Sequence, residues 1–340
     1  MMMQKKTKLL INIIKNTIAT LFIKGGVLPW FLGGAILWFS LNSEHFLTAG
    51  NLMGVSTHST YLILVSMAQM VVMLTAGLDL SIGVMLAMTS VISSMTMVAL
   101  WSGHGEGWDA IFIGCIAGLT ASACIGFING VGVAVFRVPP FVMTLAMSSI
   151  AFGLALTLTG GIPIYGMPET FANVFGYGKL MGIPITIWIT VPCIGFMYIF
   201  INWTTMGRYL YAIGGNMRAA DLSGINTRFY LIGAYVISSI ITGIAALLIT
   251  ARLDTGESNI GGTYPLLSIA ACAIGGVSFL GGVGRLSNVV LGAIFIILIH
   301  NGMNLLRINS YFQMIVIGVF LIVAIIAENI RQQMILTSHQ

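Results

Sequence analysis

Apolar residues come in long uninterrupted runs along this chain, separated by short clusters of Gly, Pro, Asn and charged residues. A membrane-crossing helix needs about 20 such residues. Ten stretches meet or approach that length: 27–41, 57–76, 80–100, 110–134, 140–158, 185–202, 229–250, 265–283, 287–305 and 311–328. The pattern predicts an all-α fold, a polytopic transmembrane helix bundle of about ten spans, whose even count puts both termini on one side. The longest connection, 159–184, is rich in Gly and Pro and is expected to dip back into the protein. Ahead of the first span, Leu10, Ile14, Ile18 and Leu21 recur at helical spacing, while Lys8, Asn12, Lys15 and Asn16 take other faces. That is the signature of an amphipathic helix lying on a membrane surface. The first apolar run has lysines before it, but no small-residue cleavage site follows at 42–45 (NSEH), so it reads as a retained anchor. The layout expected is an interfacial segment 1–26, one membrane domain over 27–328 with a polar loop at 203–228, and a tail 329–340.

Composition agrees with lipid as the solvent. The 340 residues are 58% hydrophobic and 7% charged, against about 25% charged in a soluble domain. The 41 glycines suit helices whose backbones approach closely. Cys115, Cys124, Cys193 and Cys272 lie inside apolar runs with no metal-like spacing and read as buried free thiols. The net charge of +5 is a topology signal, not a nucleic-acid footprint. With the N-terminus in the cytoplasm, the inner segments hold Lys5, Lys6, Lys8, Lys15, Lys24, Arg137, Arg208, Arg218, Arg228, Arg285 and Arg331, and the outer ones only Lys179, Arg252 and Arg307. Both termini are therefore expected in the cytoplasm.

Three stretches depart from plain bundle chemistry. In the first, TAGLDLSIG, Asp79 stands between two apolar runs, with Gly77, Ser81 and Gly83 around it. A carboxylate there must face protein, water or the interface. One reading has Asp79 capping a helix that starts at Leu80, accepting from N–H groups near Ser81–Gly83 after a turn at Gly77; the other makes it a proton relay or substrate ligand. The second, IGGVSFLGGVGR, carries Gly275, Gly276, Gly281 and Gly282 and implies a tight turn or broken helix, sheltered by protein or water. Gly77–Gly83 and Gly276–Gly282 share a six-residue spacing, a hint of internal duplication. The GxxxxGK[ST] phosphate loop is absent from the chain, so ATP is not bound through such a motif.

The third stretch is GGNMRAADLSGIN, from Gly214. Asn216 is a good N-cap, Met217–Ser223 make about two turns, and Gly224 suits the left-handed residue past a helix end. Ala219 and Ala220 are small enough to face a close partner, and Arg218 and Asp221 are spaced to pair. So short a helix is marginal alone in water. A partner or the membrane surface must hold it.

Together these stretches resemble the permease subunits of bacterial ABC importers for simple sugars, the ribose, xylose, arabinose and galactose branch. The carrying residues are GRYLYAIGGNMRAADLSGI from Gly207 to Ile225, GLDLS from Gly77, GGVSFLGGVGR from Gly275 to Arg285, and NGMNLL from Asn301 with YFQMI from Tyr311. Ala76 and Phe312 are small departures from the family pattern. The resemblance implies that Gly214, Gly215, Asn216, Arg218, Ala219, Ala220, Leu222, Ser223, Gly224 and Ile225 form the coupling helix that docks on a separate cytoplasmic ABC ATPase. ATP and Mg would belong to that ATPase, with no cofactor in this chain. It further implies a second permease copy, a homodimer being the expectation, and a periplasmic sugar-binding protein that delivers a monosaccharide such as ribose. The place is the bacterial inner membrane.

Polar groups inside spans are candidates for the translocation path: Gln69, Asn129, Ser148, Ser149, His300, Asn301, Asn304 and Gln313. Each is equally a source of interhelical hydrogen bonds. No nucleophile–base or metal constellation accompanies them, so no catalytic and no metal residue is assigned and the chain is not read as an enzyme. A proton-coupled transporter using Asp79, or an ABC permease for a furanose signalling molecule or an amino acid, are the competing readings.

Overall fold

The computed structural model describes residues 28–316 and the helical positions 318, 319, 322, 323, 325 and 326. The expected interfacial segment 1–26, the tail 329–340 and part of the tenth predicted span lie outside the described residues. The elements run α1 (Leu28–Asn42), α2 (Ala49–Leu74), α3 (Ile82–Leu100), α4 (Trp108–Ala134), α5 (Pro140–Thr159) and α6 (Glu169–Phe171), which passes into a π-helical turn at Ala172–Gly176. Then come β1 (Lys179–Leu180), β2 (Ile183–Pro184), α7 (Ile185–Trp203), α8 (Thr205–Gly215), α9 (Met217–Leu222), α10 (Thr227–Leu253), α11 (Tyr264–Ile274) and α12 (Leu286–Leu305). The described residues are all-α apart from the β1–β2 hairpin, whose Met181 and Gly182 both take the positive φ of a type I′ turn.

Seven helices among the described residues are long and apolar enough to cross a membrane: α2, α3, α4, α5, α7, α10 and α12. One predicted span falls short: the stretch expected over 265–283 is a helix of 11 residues followed by a glycine turn. At 1.5 Å per residue it reaches about 16 Å, against a hydrocarbon core of about 30 Å. Hydropathy sees the apolar run but not the place where its glycines end the helix. The first predicted span is described only from Leu28, as the 15-residue helix α1.

The chain divides into two compact units, Thr48–Ile297 and a smaller one made of Met1–Leu47 with Leu298–Gln340. In the larger unit α2 is the central helix, buried at every position from Ser59 to Leu74. The glycines of α4 set the spacing around it. Gly118 faces α3, where a Cβ would lie 2.9 Å from the Thr89 carbonyl; Gly130 faces α10, where it would lie 2.8 Å from the Ile232 Cα. Ser122 Oγ crosses the second contact to donate to Ser239 O at 2.7 Å. Close backbone approach replaces a hydrophobic drive that lipid does not supply.

The turns 75–81 and 135–139 and the segment 204–226 gather at one end of this unit. At the other end the 159–184 connection does lie back on the protein. Ile164 pairs with Gly256, and Met167 and Phe171 are buried with Met97, Ile111 and Ala251. Tyr177 donates to Arg252 O at 3.0 Å while the Arg252 guanidinium sits 4.4 Å above its ring. In the smaller unit, Phe39 packs on Phe46 with centroids 5.5 Å apart, and Gly302 brings α12 onto the Phe39 ring.

Candidate functional site

The polar corner at α8–α9 is built residue by residue. Thr204 caps α8 by accepting from Gly207 N (3.1 Å). Leu210 and Ile213 are its buried positions, and Tyr209 meets Tyr230 edge-on at 4.9 Å. Tyr211 donates to Gly284 O (2.8 Å); burial raises its phenol above the ordinary value, with Arg285 pulling the other way. Asn216 then breaks the helix with extended backbone and caps α9, accepting from Ala219 N at 2.9 Å. The six-residue α9 closes at Ser223, Gly224 takes φ +84°, and Ile225 N returns to Ala220 O (3.1 Å). The cap, the short helix and the left-handed glycine are those read from the sequence.

The faces of α9 differ from expectation in two respects. Ala220 does not look outward: it is buried with Ala134, Ile213 and Leu231 of the same chain. Asp221 does not pair with Arg218; its carboxylate accepts from Thr227 Oγ1 at 2.6 Å. Met217, Arg218, Ala219, Asp221, Leu222 and Ser223 are exposed, Leu222 at 84%. Behind α9 lies a cavity of about 810 Å³. Arg137, Arg218 and Arg228 line it, and Gly77 and Tyr235 also contribute.

The break between α2 and α3 forms a buried polar knot. Ala76 takes φ +62°. Asp79 is fully buried, and its Oδ1 accepts from Ser81 N (2.8 Å) and Ser81 Oγ (2.5 Å). Asp79 thus holds the turn and does not cap the helix as expected: the helix begins at Ile82 and not at Leu80, its N-cap is Ser81, and no side chain bonds its first turn. Asn129 Nδ2 donates to Ser81 Oγ (2.8 Å). With its amide oriented to satisfy both partners, Gln69 donates to Asp79 O (3.0 Å) and accepts from Asp79 N (3.3 Å). Gln69 and Asn129 are fully buried clamps on this turn, and their polar atoms point away from any open surface. Thr144 and Ser148 complete the knot from α5, at Leu80 N (3.1 Å) and Leu80 O (3.0 Å).

Opposite this break runs a feature absent from the predicted layout. After α10 ends at Asp254, the chain descends alongside α3 without forming a helix. Gly256 packs on Ser94, Glu257 N donates to Ser90 Oγ (3.1 Å), and Gly261 lies against Gly83. Between Ser94 and Gly83 α3 covers about 16 Å, so this segment is irregular backbone at membrane depth. Such backbone persists only where protein or water shelters it. The descent, the start of α3 and α5 enclose a cleft of about 370 Å³. Ser149, Ser258 and Asn259 give it polar groups, and Phe152 an apolar ring. Ser149 was legible as a polar residue within a span. Ser258, Asn259 and Phe152 were missed; the signal available was Gly261–Gly262 just ahead of an apolar helix.

The glycine turn after α11 closes this region. Gly275 sits on the Asn288 backbone, and Gly276, Gly281 and Gly282 have positive φ. Gly77 and Gly83 do not, so the two Gly–Gly spacings do not match in register, yet the two turns share one helix-end geometry: Ala76 (φ +62°) donates to Met73 O and Gly77 N to Val72 O, as Gly276 (φ +75°) donates to Ala273 O and Val277 N to Cys272 O. At the end away from α9, burial and then the neighbouring Glu169 raise the Asp254 carboxyl above its ordinary value.

His300, Asn304 and Gln313 share the smaller unit. Asn304 Nδ2 meets His300 Nδ1 at 3.2 Å, and Gln313 Nε2 donates to Asn304 Oδ1 and to Ile308 O, each at 2.8 Å. Asn301 is half-buried in the same helix. The first three bind one another and the backbone, tying the end of α12 to the helical segment that follows. Among the described residues no group of His, Cys, Asp and Glu is placed to hold a metal ion.

Comparison with known proteins follows this geometry. The family model described as branched-chain amino acid transport system, permease component, matches residues 51–325. The D-allose transport system permease protein of Escherichia coli (strain K12) is 32% identical over 86% of this chain and 87% of its own length. The ribose import permease proteins of Escherichia coli (strain K12) and Bacillus subtilis (strain 168) are each 33% identical, covering 85% and 88% of this chain and 89% and 91% of their own. No solved structure matches the chain. The chain therefore belongs to the permease family of ABC sugar importers: a multi-pass component of a binding-protein-dependent transporter, and not an enzyme.

Proposed function

We propose that this chain forms the translocation pathway of an ATP-driven importer for a monosaccharide, with an aldose such as ribose or allose as cargo. The observation that carries the reading is the cleft between the α2–α3 break and the non-helical descent. It is a water-compatible surface at membrane depth, with few hydrogen-bonding groups and one aromatic ring. Weak, dispersed polar contacts suit a solute that must leave again, while a binding protein outside supplies specificity. Asn301, His300, Asn304 and Gln313 act as helix glue in this reading.

The exposed face of α9, with Leu222 at its tip, is the surface offered to a cytoplasmic ABC ATPase that carries ATP and Mg. Five arginines (Arg137, Arg208, Arg218, Arg228 and Arg285) gather at that end, whereas Glu106, Asp109, Glu169, Asp254 and Glu257 belong to the loops of the other. The positive-inside rule puts the α9 end in the cytoplasm, and both termini with it. A second copy completes the pathway as a homodimer. ATP-driven closure of the two ATPases draws the α9 helices together and switches the cleft from one side of the membrane to the other.

Reconstitution tests this. Proteoliposomes holding the chain with an ABC ATPase and sugar-binding protein of the same organism should take up labelled ribose, allose or arabinose only with ATP. Uptake driven by a proton gradient alone overturns the reading and favours a relay through Asp79.

A further inference from the structure

Three backbone segments that are far apart in sequence meet at one point. Leu74 ends α2, and its carbonyl is one of the groups a helix end leaves without an intrahelical partner. Gly282, from the turn after α11, donates its N–H to that oxygen at 2.9 Å. Gly214, two residues before the cap of α9, presses on the same bond. A Cβ there would overlap the Leu74 oxygen and lie 2.5 Å from Gly282 N. Gly281, at φ +81°, stands with its Cβ position 2.7 Å from Ala76 N and 2.9 Å from Gly214 Cα. Gly195, within α7, by contrast has open space where a Cβ would go.

We propose that Gly214, Leu74 and Gly282 form the joint that passes movement of α9 to both sides of the cleft. This rests on the reading of α9 as the ATPase-coupling helix. The α8–α9 corner is stiff, because Ala220 of α9 and Ile213 of α8 share one buried cluster. Displacing α9 therefore displaces Gly214. Backbone against backbone leaves no side-chain rotamer to absorb the shift, and packed contacts move between discrete arrangements instead of deforming smoothly. From the joint, one arm is the 75–81 turn leading to Leu80 and Gly83, and the other is α11, whose Pro265 faces the same cleft. Gly214 is a positioning residue: although the sequence counted it with the docking helix, its open side is filled by the Leu74 carbonyl and Gly282 N, so it acts through the joint and not on sugar or ATPase.

The experiment compares wild type, Gly214→Ala and Gly195→Ala in the assembled transporter, measuring sugar uptake per ATP hydrolysed and co-purification of the ATPase. Wild-type uptake itself tests the proposed function; its absence overturns that reading and the joint with it. With wild type active, Gly214→Ala should lower uptake per ATP by about tenfold while still holding the ATPase, and Gly195→Ala should match wild type. Equal coupling in all three overturns the joint. Hydrogen exchange on the wild-type transporter decides independently of how well the variant folds. The Gly282 amide should stay protected in both the resting and the ATP-trapped states, and opening of that amide on ATP trapping overturns the proposal.

Discussion

At the scale of single residues, the chain spends its few polar groups on turns. Asp79 carries no freedom to shuttle between sites in this structure, since Ser81 holds one oxygen twice and Gln69 holds its backbone at both N–H and carbonyl. Asp79→Ala strands the Ser81 donors in a buried site, an expected cost of about 1–3 kcal/mol. Asp79→Asn keeps an oxygen for Ser81 N–H and should cost less. Thermal unfolding of the purified variants checks the order. Leu222 makes the contrasting case: it is exposed, so Leu222→Asp should leave stability unchanged and weaken ATPase co-purification roughly tenfold, as for an apolar anchor at an interface. Equal loss of stability would remove Leu222 from the docking surface. Ala220 is a poorer probe than its sequence position suggests, because a charge there would break the chain's own corner.

At the scale of elements, what was legible in the sequence followed from local rules. Seven spans were readable because an apolar helix of 19–27 residues admits few alternatives in lipid. The α9 cap was readable because Asn216 and Gly224 act on their immediate neighbours. Two things were not. The length of α11 depends on where a glycine turn lands against Leu74, more than 200 residues upstream. The descent from Asp254 to Gly262 looks like an ordinary outer loop, since its shelter comes from Ser90, Ser94 and Gly83 of another helix. The facing direction of Ala220 was hidden for the same reason: burial of one helix face is a tertiary fact. Cysteine scanning probes the descent. Asn259→Cys, in a background lacking the native cysteines, should react with a membrane-impermeant maleimide and be shielded by transported sugar. Complete inertness in the resting and ATP-trapped states would show that no water reaches the cleft.

At the scale of the whole molecule, charge sorts the two ends of the larger unit. Surface cations on the α9 end contribute to orientation far more than to stability. Arg218→Cys should therefore label with an impermeant reagent only after cells are permeabilised, and His104→Cys, in the loop between α3 and α4, should label in intact cells. The opposite pattern would reverse the assigned topology.

Helix α2 leads to a consequence for how the protein is made. Its polar residues Ser59, Thr60, Ser66 and Gln69 are buried only because α10, α11 and other helices surround it. Yet α10 begins more than 150 residues after α2 ends. At a synthesis rate of 5–20 residues per second, α2 waits about 8–30 s for that shelter. During this interval it is a newborn helix with a serine–threonine–glutamine stripe turned towards lipid or towards whatever insertion factor holds it. Biogenesis of this permease thus depends on a delay in which its future centre is its least finished part.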